Sequence, residues 1–162
     1  MSSPHTISAS WGLALAVLLP TLVFAARHAN NPHATTISTL NTVLGGGMFA
    51  LGYVLTGELA LPIGLHIAWN FLLGSVLGLP VSGIRAPALL ATAQRGSDLW
   101  TGGAYGPEGG LLGTLAFLLG SVLILVWARR RGPIKLHRAL SHLLWRPVAD
   151  GAHQIELASE RG

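Results

Sequence analysis

His66 and Asn70 stand four residues apart in GLHIAWNF, residues 64–71. Four residues is about one helical turn, so a helix here carries both on one face. An imidazole can bind a metal or move a proton near neutral pH. A carboxamide can donate to an oxygen that becomes negative during acyl transfer. Trp69, between them, is expected to face elsewhere. A second imidazole, His28, stands in FAARHANNP, residues 24–32. If two helices bring His28 and His66 together, they could share one divalent ion. Ligand type points to zinc, which takes imidazole nitrogens and carboxylate oxygens and keeps one catalytic position open for water. Bound zinc lowers the pKa of that water to about 7, which supplies hydroxide at neutral pH. The plain alternative is packing, with each imidazole satisfied by a neighbouring helix and the asparagine joining two helices. Two histidines and an asparagine do not by themselves define a hydrolase.

FAARH resembles the FxxxH motif of the CPBP intramembrane metalloproteases, the group that includes type II CAAX prenyl proteases and bacteriocin-immunity proteins. HIAWN resembles that group's HxxxN motif. The surrounding TGELALPIGLHIAWNFLLGSVLGLPVSG, and the later AYGPEGGLLGTL ahead of the last apolar run, are similar to its members as well. The resemblance spans about residues 10–128. It implies a multispan membrane protein with its centre inside the bilayer, in which His28 and His66 are metal or water ligands. Asn70 would be the oxyanion or positioning group, and Phe24 a packing neighbour of His28. The implied reaction is hydrolysis of a peptide bond in a prenylated or otherwise membrane-associated chain. The alternative is a non-catalytic membrane binding protein of the bacteriocin-immunity type.

That group carries two adjacent glutamates ahead of FxxxH, and this sequence has no Glu-Glu pair. A carboxylate matters because it takes a proton from the attacking water and returns it to the leaving amine, help worth about 10²–10⁴ in rate. The expectation is that the glutamate helix lies upstream of residue 1. An inactive relative kept for binding, or Glu58 as a substitute base, are the alternatives.

These residues need helices to hold them. Four stretches are long enough to cross a bilayer, which takes about 20 apolar residues: 8–28 with Pro20 as a kink, 37–57, 59–79 and 109–128. Spans two and three are joined by little more than Thr56, Gly57 and Glu58, a tight antiparallel hairpin. Residues 80–108 form one long loop whose glycine, proline and charge mark it as extramembrane. The pattern predicts an all-α polytopic membrane protein, about four transmembrane helices in an antiparallel bundle. Its transmembrane domain covers 8–128 and a basic cytoplasmic or interfacial tail covers 129–162. In an even up-and-down bundle spans one and three run parallel, and His28 and His66 would differ in depth by about 12 Å at 1.5 Å per residue.

Composition agrees with lipid as the solvent. The 162 residues are 51% hydrophobic and only 10% charged, against about 25% charged in soluble domains, and mean hydropathy is +0.55. With no cysteine, disulfides, iron–sulfur clusters and thiolate metal sites are excluded. The net charge of +4 gathers in Arg129, Arg130, Arg131, Lys135, Arg138 and Arg146. Beside an apolar span this reads as a topology signal rather than a nucleic-acid surface. The expected partners are membrane lipid and a membrane-associated protein or peptide substrate, at the plasma membrane of a prokaryote. Haem ligation by two histidines is a further rival.

Overall fold

The computed structural model describes residues 4–131 and, of these, all side chains but those of residues 4–13 and 16. The fold is all-α, as the sequence indicates. Helix α1 covers Pro4–His28, α2 Thr36–Thr56, α3 Ala60–Asn70, the single turn α4 Asp98–Thr101, and α5 Leu111–Arg130. The chain continues from α3 through a π-helical turn, Phe71–Val76. Two 3₁₀ turns, Gly103–Tyr105 and Pro107–Gly109, lead into α5.

Local chemistry explains the boundaries. Thr35 and Ser38 form a reciprocal capping box at the start of α2. Thr35 Oγ1 accepts from the Ser38 amide at 3.1 Å, and Ser38 Oγ accepts from the Thr35 amide at 2.7 Å. Gly57 closes α2 in the left-handed conformation, φ 73°, which glycine adopts without steric cost, so the turn into α3 is tight.

Helix α2 is the central element and touches α1, α3 and α5. Its glycines make this possible. A Cβ on Gly46 would lie 3.3 Å from Phe24 Cδ1 on α1, and one on Gly45 would lie 3.2 Å from Phe117 Cε1 on α5. Small residues at such crossings let backbones approach closely. Met48, Phe117 and Ile124 form the apolar core, with Phe49, Leu61, Leu65 and Trp69 packed on it.

The surface is inverted relative to a soluble protein. Thr21, Ser38, Asn41, Thr42 and Glu108 are buried, while Leu15, Leu19 and Leu22 on α1 and Leu115, Leu119 and Leu123 on α5 stand exposed. Exposed apolar area on this scale is unusual for a soluble monomer. Among the described residues, α2 and α5 are long and apolar enough to cross a membrane. The apolar parts of α1 and of the third helical stretch, Val17–His28 and Ala60–Val76, are shorter.

Residues 80–108 depart from the expected solvated loop. Pro80 and Tyr105 are among the most fully buried side chains, and Glu108 is only 8% exposed. Glycines allow the chain to fold back into the bundle. Gly106 takes φ 105°, and a Cβ there would run into the carbonyl oxygen of Pro80. The middle of the stretch, with Leu89 80% exposed, stays on the outside. The basic tail beyond residue 131 lies outside the described residues.

Candidate active site

The last turn of α1 presents Phe24 and His28 on one face. His28 Nδ1 lies 2.7 Å from the Phe24 carbonyl oxygen. A carbonyl only accepts, so Nδ1 carries a proton, and in the neutral ring Nε2 is the acceptor. The ring is thereby fixed in one tautomer and one orientation. The Phe24 ring sits 4.3 Å from that of His28 and 5.6 Å from that of His66, centroid to centroid. On its other side the His66 ring stacks on Phe49 of α2 at 5.3 Å.

The separation in depth expected of an even bundle is therefore bridged. Phe24 lies one turn inward of His28 and touches both imidazoles. Helix α3 begins only at Ala60, so His66 is fewer than two turns from its start.

On α3, His66, Trp69 and Asn70 occupy positions i, i+3 and i+4 and share one face. The expectation that Trp69 turns away fails for this reason, because i+3 is as close a neighbour on a helix as i+4. Trp69 packs on Phe117 with ring centroids 5.2 Å apart, and its indole Nε1–H donates to Glu108 Oε2 at 2.7 Å.

Glu108 is the residue that sequence reasoning passed over. It reaches the bundle on the 3₁₀ turn before α5, where buried Asn41 of α2 holds the backbone. Asn41 Nδ2 donates to the carbonyls of Glu108 and Gly110 at 2.9 and 2.8 Å, and Asn41 Oδ1 accepts from Thr114 Oγ1 at 2.7 Å. The second carboxylate oxygen, Oε1, accepts from Ser82 Oγ at 2.5 Å. Ser82 has φ 50°, one of two non-glycine residues with positive φ among the described residues. A short polar side chain there costs about 1 kcal/mol, and the tight bend at Val81–Ile84 aims its hydroxyl at the carboxylate. The available signal was a lone glutamate flanked by glycines, GPEGG, directly ahead of an apolar helix.

His28, His66, Asn70, Trp69, Ser82 and Glu108 line one cavity of about 30 Å³. A water needs a cavity of about 10–15 Å³ or more, so this one is of a size for water rather than for a peptide. Asn70 is exposed and also lines a larger surface groove of about 450 Å³ between α3, the π-helical turn and residues 81–86. Glu58 is exposed in the α2–α3 turn and lines neither.

The donor set bears on zinc. Among the described residues no three His, Asp or Glu side chains are grouped to hold one ion. Two imidazoles share the cavity, and Glu108, which also lines it, is not grouped with them to hold one ion. Catalytic zinc uses three protein ligands, so these residues by themselves do not fit a zinc centre.

They do fit acyl-transfer chemistry through water. The cavity offers two imidazoles, an exposed carboxamide and a hydrogen-bonded carboxylate. The family model described as Type II CAAX prenyl endopeptidase Rce1-like matches residues 4–72, which contain Phe24, His28, His66 and Asn70. No curated protein and no solved structure matches the chain. That family is membrane-embedded, and its reaction class is peptide hydrolysis. The resemblance carried by FAARH and HIAWN thus holds over residues 4–72, where the chain is similar to the Rce1-like type II CAAX prenyl endopeptidases.

Proposed function

We propose that this chain forms the histidine–asparagine part of a multispan intramembrane endopeptidase that cleaves a peptide bond in a prenylated or otherwise membrane-associated substrate. One observation carries the reading: the motif side chains of α1 and α3, 38 residues apart from His28 to His66, face the same small cavity. The inverted surface of α1 and α5 supports four crossings, with lipid against the exposed leucines.

The chemistry follows from placement. Asn70, at the boundary of groove and cavity, donates its carboxamide N–H to the scissile carbonyl oxygen as negative charge develops there. Removal of one such donor costs about 10²–10³ in rate. His28 and His66 hold water at the carbonyl carbon, the fixed tautomer of His28 presenting Nε2 as an acceptor. The apolar walls from Phe24, Phe49 and Phe117 exclude bulk water, so these interactions act at low dielectric. A divalent ion would require a third donor beyond His28 and His66. Metal analysis of the purified chain tests that point, and stoichiometric zinc would mean that a third ligand reaches the site.

The non-catalytic reading draws on the size of the cavity, which suits water rather than a peptide. Both readings meet one test: cleavage of an internally quenched farnesylated CaaX peptide by the full chain in lipid vesicles. Hydrolysis that falls at least 100-fold in His28→Ala and in His66→Ala supports the endopeptidase. Equal rates in all three proteins favour the binding protein.

A further inference from the structure

We infer that Glu108 is the proton-accepting base of this site. The inference deepens the endopeptidase reading and rests on it. Glu108 reaches the cavity from the turn before α5, while the two histidines reach it from α1 and α3. Its oxygens each accept one hydrogen bond, from Trp69 Nε1–H and from Ser82 Oγ–H. An ionised carboxylate has about four acceptor positions, so lone pairs remain for a water in the cavity. The titratable side chains lining that cavity are His28 from α1, His66 from α3 and Glu108 itself, with no lysine or arginine among them. A carboxylate placed among apolar helices is costly, and such groups mark function more often than packing. Any backbone carbonyl could satisfy an indole and a hydroxyl, so neither Trp69 nor Ser82 requires an ionisable partner.

The step balances. The water oxygen attacks the scissile carbonyl carbon, one water proton passes to the Glu108 carboxylate, and the carbonyl π pair moves to the oxygen beside Asn70. When the C=O bond reforms, the C–N bond breaks. The proton held by Glu108 goes to the leaving nitrogen, which yields a carboxylic acid and an amine and returns Glu108 to its starting form.

The test compares wild type, His66→Ala, Glu108→Gln and Glu108→Ala as full chains in vesicles with the quenched farnesylated peptide. Glutamine keeps the volume, can still accept from the indole, and lacks basicity. The expected result is a fall in kcat of about 10²–10⁴ for Glu108→Gln, with KM and melting temperature unchanged. Sodium formate should restore kcat at least tenfold in Glu108→Ala, because formate fits the vacated space and supplies a carboxylate. A Glu108→Gln rate within threefold of wild type overturns the inference and leaves the endopeptidase reading intact, provided His66→Ala is inactive. A large loss in both Glu108 variants with a lowered melting temperature and no response to formate makes Glu108 structural, which also overturns it. If wild type does not cleave, or His66→Ala cleaves equally, both readings fall together.

Discussion

The indole Nε1–H of Trp69 donates to Oε2 of Glu108 at 2.7 Å across 39 residues of sequence. This bond ties the helical turn between His66 and Asn70 to the segment that starts the last helix. The position of the α3 side chains is therefore set by α5 as well as by α2. Neither helix alone holds the site.

Trp69→Phe isolates that bond. Phenylalanine keeps a ring against Phe117, 5.2 Å away in the wild type, and removes only the donor and part of the ring. The Glu108 carboxylate loses one of its two hydrogen bonds, worth about 1.5–3 kcal/mol when the acceptor is charged. Thermal melting in detergent should show the loss, and peptide hydrolysis should fall with it. A variant that melts with wild type would mean that the indole bond contributes nothing to stability.

Two glycine-to-alanine changes should differ in sign. At Gly113 an added Cβ would lie 2.6 Å from Glu108 Cα and 2.7 Å from the Pro107 carbonyl oxygen, both backbone atoms that cannot rotate away. The turn carrying Glu108 must shift, at an overpacking cost of about 1–3 kcal/mol. At Gly47 nothing lies within 4 Å, and alanine in a helix is favoured over glycine by roughly 0.5–1 kcal/mol. Melting of Gly113→Ala should be lowered, with reduced hydrolysis, and Gly47→Ala should match or exceed wild type in both.

These contrasts show which parts of the fold were legible in the sequence. The helices were, because apolar runs of about 20 residues have few other uses and Gly57 marks the turn between α2 and α3. The shared helix faces of Phe24 with His28 and of His66 with Asn70 were legible through short-range spacing. Their convergence was not, because it depends on Phe24 bridging two helices and on where α3 starts relative to α1. Trp69 was misjudged by treating i+3 as a different face. Glu108 and Ser82 were hidden because they belong to a glycine-rich stretch that reads as solvated. Its return into the bundle is set by long-range hydrogen bonds from Asn41 and by the left-handed Gly106, and no local periodicity reports either.

Asn41 offers the sharpest test of that return. Its Nδ2 donates to two carbonyls and its Oδ1 accepts from Thr114, in a site only 2% exposed. Asn41→Ala leaves those carbonyls without a partner at about 1–3 kcal/mol each. Asn41→Asp is expected to be worse, since an ionised aspartate turns an acceptor oxygen toward two acceptor carbonyls. Yields of folded protein after detergent extraction should rank wild type above Asn41→Ala and Asn41→Asp last. An aspartate variant as stable as wild type would show that the Glu108 turn is held by other contacts.

Access to the site is separable from its chemistry. The cavity of about 30 Å³ admits water, so a peptide must present its carbonyl from outside. Asn70 is the residue common to the cavity and to the groove of about 450 Å³ lined by Ile67, Phe71, Val81, Ile84 and Ala86. If the substrate lies in that groove, filling its outer wall should obstruct binding without touching the reacting groups. Ala86 is exposed and belongs to the outer segment, not to α3, so Ala86→Trp narrows the groove while leaving His66, Asn70 and Glu108 in place. KM for the farnesylated peptide should rise about tenfold or more with kcat within twofold, a change of about 1.4 kcal/mol in apparent binding. Interactions lost equally from ground and transition state raise KM alone, and that signature separates access from chemistry. A fall in kcat at constant KM would instead mean that residues 81–86 position Ser82 against Glu108, and that the peptide enters by another face.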